Sequence, residues 1–222
     1  MSLYFVVFGK LLGDRIQNFG DFSYIEFIVP GLVMMAVITN SFSNVASSFF
    51  SSKFQRSVEE LLVSPVPDWL IVCAYVVGGA TRGLGVGCMV LVVSQFFTKL
   101  SFHSLPLIFV FLLLTSLTFA TAGFTNGMLA RKFDDIAIVP TFILTPLTYF
   151  GGVFYSIELL PGIWPQISRA NPILYMVNGL RYGFLGVSDI PVPIGIGILL
   201  LFLVGLFALN LRLMKKGYGL RS

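Results

Sequence analysis

Charge in this chain is confined to short islands between long apolar runs. Residues 25–50 carry one charged residue, Glu26, residues 69–97 carry one, Arg82, and residues 105–130 carry none. A helix needs about 20 apolar residues to cross a hydrocarbon core of about 30 Å, and these runs are that long. They do not alternate with period two, so the backbone groups are expected to be satisfied within helices rather than around a barrel. Only 11% of the 222 residues are charged, where a soluble domain carries roughly 25%. With 56% hydrophobic residues and a mean hydropathy of +0.91, the chain is expected to be an all-α polytopic membrane protein. The net charge of +4 does not point to nucleic acid, because most of the basic residues flank spans.

Taken in order, Leu3–Phe8 is apolar but too short to span, and a polar connection runs to Asp21. The first full span is expected at Ile25–Phe50, with Glu26 capping its start. The second lies within Trp69–Phe97, which is longer than needed, so part of it is expected along the membrane surface. The third is Leu105–Ala130, after a connection that holds the only histidine, His103. A tight charged turn, Arg131–Asp135, leads to a fourth span that begins at Ile136 and is broken by Pro140 and Pro146. Gly151–Ile190 is apolar but interrupted, and reads as short helices dipping into the membrane edge, a backbone tolerated only under protein or water. The last span is Val192–Leu213. If spans alternate, Lys53, Arg56, Arg131, Lys132, Arg212, Lys215, Lys216 and Arg221 share one side, and Lys10, Arg15, Lys99, Arg169 and Arg181 share the other. The richer side is expected in the cytosol.

The island Ser51–Asp68 reads as a short amphipathic helix held between two spans. Ser57 with Glu60 three residues on forms a capping-box pattern, Val58, Leu61 and Leu62 fall on one face, and Pro65 and Pro67 stop the helix. Two readings stand: a solvated loop with a helical turn, or a handle by which a soluble partner pushes on the membrane domain.

Soluble catalytic machinery is missing from the sequence. It has no GxxxxGK[ST], no HExxH and no GxSxG, and one histidine with two cysteines makes no metal site. Cys73 and Cys88 read as packing residues. If they share a helix they are about 22 Å apart, too far to bridge. No signal peptide with a small-residue cleavage site is present. Gly83-Leu-Gly85-Val-Gly87 lacks the sixth-position glycine of a dinucleotide loop and sits inside a span. Gly79, Gly83 and Gly87 fall on one helix face, which suits close helix packing within the protein or a subunit contact. Arg82 either snorkels to the cytosolic surface, with the span proper starting near Gly78, or lines a polar path. Asp134 and Asp135 are expected to cap the fourth span rather than carry protons.

The chain resembles the membrane subunit, or permease, of bacterial type-2 ABC exporters, the group that includes polysaccharide and drug export permeases. The match is strongest in DDIAIVPTFILTPLTYFGGVFYSIELLP from Asp134 and in NPILYMVNGLRYGFLG from Asn171. Gly151, Gly152, Phe154, Tyr155, Pro161, Asn171 and Pro172 fall on that family's pattern for its outer re-entrant helices. FIVPGLVMM at 27–35 and FQRSVEELLVSPVP at 54–67 also match, the second where the family places its coupling helix. The resemblance implies a single transmembrane domain over residues 1–222, of six spans with the first incomplete. It implies a homodimer that works with two copies of a separate ATPase, with ATP bound there and no cofactor on this chain. Gln55, Arg56, Glu59, Glu60 and Leu61 would then contact the ATPase. Export from the cytoplasm is favoured over import, because the island lacks the EAA-then-glycine pattern of importer permeases. The expected location is the bacterial inner membrane, with the C-terminus in the cytosol.

The expected substrate is hydrophobic or lipid-linked: a glycan, a lipid or a drug. The rival class is a secondary transporter driven by an ion gradient, which calls for inverted repeats and mid-membrane ionisable residues. No repeat is visible, and only Arg82 is a candidate. The start at Met1, with too little apolar chain to span before Lys10, is expected to be a downstream start or a truncation. Leu3–Leu12 is then expected to form the outer end of the first span.

Overall fold

The computed structural model describes Tyr4, Val7 and residues 22–98, 100–157 and 160–217. Among them the chain is almost wholly helical. Helix α1 (Tyr24–Phe54) opens on Ser23, whose hydroxyl accepts from the Glu26 N–H while the Glu26 carboxylate accepts from the Ser23 N–H at 2.9 Å. That reciprocal cap satisfies two of the N–H groups a helix start leaves unpaired. Helix α2 (Ser57–Val63) follows at once, and α3 (Asp68–Ser94) and α4 (Leu105–Leu129) complete the first half. Helix α5 (Phe133–Ile138) continues through a π-helical stretch, Val139–Leu144, into α6 (Thr145–Tyr149). Then come α7 (Trp164–Arg169), α8 (Pro172–Leu185) and α9 (Val192–Lys215). Four of these, α1, α3, α4 and α9, are long and apolar enough to cross a membrane.

Helix α1 is the central post. Small residues bring its neighbours close. A Cβ at Gly79 or Gly83 of α3 would run into Val45 or the Ser41 hydroxyl of α1, and one at Gly87 would come within 2.6 Å of Val37. From the other side, Gly123 and Gly127 of α4 lie against the Phe42 and Ala46 carbonyls of α1. The glycine stripe on α3 is thus spent on packing within the protein, where dispersion and close backbone approach replace the hydrophobic drive that lipid does not supply. Helix α9 sits at the periphery: 11% of its apolar window is buried, against 72% for α1.

The starts of α1, α4 and α9 gather at one end with α7, α8 and the 151–157 turn. The ends of α1, α4 and α9 gather at the other, with α2 and the start of α3.

Three expectations need correction. Helix α3 runs unbroken from Asp68 to Ser94, so no part of it turns off to lie separately along a surface. The cap at Ser57 is not made: Ser57 is already helical, its hydroxyl donates to the Ser52 carbonyl at 3.1 Å, and the preceding position is Arg56 in the left-handed region with φ 60°. The tight turn from α1 into α2 demands that conformation and moves the helix start. Finally, Cys88 is exposed on the outward face of α3 rather than packed, and Cys73 is half-buried; both are free thiols. The segment Leu3–Leu12, expected as the outer end of the first span, lies outside the described residues apart from Tyr4 and Val7. Lys10, Arg15, Lys99, Glu158 and Arg221 lie outside them altogether.

Candidate functional site: a surface helix and a helical cap

The surface helix α2 is short, but it is plugged into the bundle. Val58 is 3% exposed and belongs to a cluster with Phe49, Val72, Phe124 and Met128, drawn from α1, α3 and α4. Its other residues point away. Glu59 and Glu60 are exposed, as are Gln55 and Arg56 before them; Leu61 is 38% exposed and Val63 88%. The apolar face expected of Val58, Leu61 and Leu62 therefore reduces to Val58 among the described side chains; that of Leu62 lies outside them. Among the described residues, Arg56, Glu59 and Glu60 make no ion pair, so a local charge pattern remains open to a partner. Two exposed aromatics flank it. Phe54, at the end of α1, packs edge-on at 5.1 Å from Phe133, at the start of α5, and both rings touch Phe50. The island contains Phe54 but not Phe133, and no local pattern marks that the two would meet.

The end of α1, which leads directly into α2, is tied to two neighbouring helices. Lys53 donates to the Met128 and Ala130 carbonyls at 3.0 and 2.8 Å, carbonyls that the end of α4 leaves unpaired. A cation there also suits the negative end of the helix dipole. Tyr75 of α3 donates to the Ser52 hydroxyl at 2.9 Å. Val58 and these bonds bring α2 and the ends of α1, α3 and α4 into one packed unit.

Beside this surface, Asp135 caps the charged turn. Its carboxylate accepts from the Arg131 and Lys132 N–H groups at 2.8 and 3.0 Å. Those two bonds hold its carboxyl below the usual carboxylate range. Asp134 is exposed. The Pro-broken segment that follows is widened rather than severed. Pro140 has no N–H for the Ile136 carbonyl, which instead accepts from Asn126 Nδ2 of α4 at 3.1 Å. The Thr145 N–H reaches the Pro140 carbonyl five residues back, and its hydroxyl donates to the same oxygen at 2.9 Å.

At the opposite end, residues 150–185 build a cap of two helices and a turn, not one continuous span. Gly151 and Gly152 are buried. A Cβ on Gly151 would press on Ile173 at 2.7 Å, and Gly152 has φ +72°, which glycine adopts without steric cost. Phe154 stacks on Tyr149 at 5.6 Å and on Tyr4 at 6.2 Å, and Tyr155 is half-buried. Pro161 is exposed. Asn171 holds extended dihedrals before Pro172, as a residue preceding proline should. It caps α8 by accepting from Ile173 N–H at 3.0 Å, and its Nδ2 donates to the Leu147 carbonyl. Arg82 stands apart from both regions, exposed halfway along α3 and to one side of the glycine stripe.

The sequence profile of the ABC-2 type transporter family matches residues 1–185. The chain belongs to this family. It is 53% identical over 222 residues to the inner membrane transport permease YadH of Escherichia coli (strain K12), covering all of this chain and 87% of that protein. It is 26% identical over 221 residues to nodulation protein J of Rhizobium meliloti (strain 1021), covering 96% of this chain and 82% of that one. As an ABC-2 permease it is a multi-pass protein of the inner membrane. Two residues of this permease that sequence reading passed over are set deep in its packing. Arg181 was counted among outward charges but is 1% exposed, and Asn210, a lone amide in the last apolar run, is fully buried against α4. An amide or guanidinium within an apolar segment is the signal that marks such positions.

Proposed function

We propose that this chain is the permease half of an ATP-driven exporter that moves a hydrophobic or lipid-linked substrate out of the cytoplasm. The protomer has six spans, with residues 136–149 forming the fifth. It pairs with a second copy, and two copies of a separate ATPase bind on the cytosolic side, where the C-terminus also lies. The chain carries out no bond chemistry of its own. ATP is held by the partner, and the outer cap at 150–185 closes the far end of the path.

The observation that carries this reading is the build of α2. Its acids and Val63 face outward, Val58 is sunk into a cluster drawn from α1, α3 and α4, and the Lys53 and Tyr75 bonds tie the end of α1 just before it to α4 and α3. A helix shaped in this way transmits force from a docked partner instead of absorbing it. Closure of the ATPase around α2 would shift the ends of α1, α3 and α4 as one body, and so rock the dimer between two discrete arrangements.

The test is Glu59→Lys with Glu60→Lys. Like charges at a contact surface cost several kcal/mol. The parent, purified from its own membrane, is expected to bring with it a subunit that 8-azido-ATP photolabels. The double variant should reach the membrane in normal amount and lose that subunit. Retention of the photolabelled partner by the variant would overturn the assignment of α2 as the docking element.

A further inference from the structure

A positive charge lies buried beneath the outer cap. Arg181, midway along α8, is 1% exposed. Its guanidinium sits 3.8 Å from the centre of the Phe27 ring, and Nη2 donates to the Gly152 carbonyl at 2.7 Å. Among the described residues, Nε and Nη1 have no hydrogen-bond partner. A buried guanidinium with two idle donors and no carboxylate on it is an unfavourable arrangement unless another arrangement of the same parts uses them.

A carboxylate is near but engaged elsewhere. The Asp189 N–H donates to Asn178 Oδ1 at 3.1 Å, and Asn178 precedes Arg181 by one turn on the same face of α8. The Asp189 carboxylate accepts from the Ser156 hydroxyl at 2.9 Å and from the Ile157 N–H at 3.1 Å. The two charges therefore grip opposite ends of one short segment, residues 152–157, and each does so through uncharged groups. Among the described residues they make no ion pair with one another.

We propose that Arg181 and Asp189 are the two halves of a charge-swap latch. In the closed arrangement each holds one end of residues 152–157, and when that segment lifts the two pair directly. This rests on the reading that the outer cap closes the path. The donors left idle on Arg181 are the ones a carboxylate can take. A two-pronged bond to a carboxylate uses Nη1 with one hydrogen of Nη2, or Nε with the other, and among the described residues Nε and Nη1 stay unused while Nη2 holds Gly152. Lifting the segment alone would strand a cation and an anion under the cap. Pairing offsets that loss, so both arrangements remain within reach and the cap has two states rather than a graded motion.

The test uses a single reporter thiol, Tyr155→Cys, in a Cys73→Ser, Cys88→Ser background, in intact cells that express the transporter with its ATPase. The rate of labelling by a membrane-impermeant maleimide reads lifting of the segment. Asp189→Asn keeps one acceptor for the segment but removes the charge that receives Arg181. It is expected to slow labelling by at least about tenfold, the weight of one charge-assisted bond. Arg181→Lys keeps the charge and a donor for Gly152 but loses the two-pronged face, and is expected to slow labelling less. Arg181→Lys with Asp189→Asn together should be no slower than Asp189→Asn alone, because both act on one pair. Deuterium exchange of the 150–157 backbone in the purified protein gives the same order without the reporter, and shows that the closed fold survives each substitution. Labelling of the Asp189→Asn form as fast as the parent, or effects that multiply, would overturn the latch. A parent thiol that is never labelled would remove the moving cap itself, and the latch with it.

Discussion

Asn210 tests how far a single amide holds the last helix. Helix α9 is mostly peripheral, and lipid competes on equal terms for its apolar surface. Asn210 is fully buried all the same. Its Nδ2 donates to the Thr121 carbonyl at 2.9 Å, and its Oδ1 accepts from the Thr125 hydroxyl at 2.7 Å. Asn210→Leu removes both bonds while roughly keeping the volume. Hydrogen bonds between membrane helices average about 0.6 kcal/mol and reach about 1.7. Two of them therefore set an expected loss of about 1–3 kcal/mol. The lower half of that range is favoured, since Thr125 also lies 3.3 Å from the Thr121 carbonyl and can turn to it. The assay is unfolding in mixed detergent–dodecyl sulfate micelles followed by circular dichroism, run as a cycle with Thr125→Val. The cycle should return a coupling of about 0.6 kcal/mol or more. A leucine variant as stable as the parent, with no coupling to Thr125, would refute the claim that this amide fastens α9 to α4.

Three further outcomes follow from the packing and the turn. Gly83→Leu places a side chain into Ser41 of α1, and overpacking of that kind costs about 1–3 kcal/mol. Gly85→Leu, two residues on with nothing within 4 Å, should stay within about 0.5 kcal/mol of the parent, and equal losses at the two sites would contradict the packing. For orientation, a cysteine at 53 in intact cells should resist an impermeant maleimide and one at 163 should react, and the reverse pattern would invert the topology. For the charged turn, the folded carboxyl of Asp135 lies below its ordinary range. Its contribution is therefore present at neutral pH and lost as pH falls through that lowered value. Asp135→Asn should remove this acid-side dependence from thermal melts, and a variant with the parent's full dependence would show that other carboxylates carry it.

Much of the helical layout was legible in the chain because its causes are local. Apolar length, the acid Glu26 at the start of α1, and the prolines at 65, 67, 140, 146 and 172 act on their own few residues. The glycine stripe on α3 was legible for the same reason, since its spacing places it on one face whatever the partner. Which face meets which helix was not. In a membrane both the buried and the lipid-facing sides are apolar, so α1 and α9 read alike although one is the central post and the other the rim. The start of α2 escaped because Arg56 takes a left-handed conformation to complete a turn that only the docked α1 requires. Arg181 and Asp189 escaped because their sequence positions, beside an interrupted apolar stretch, suggest surface charge. Tertiary structure folds the 152–157 segment over them, and burial then turns a charge counted for topology into one that must find a partner.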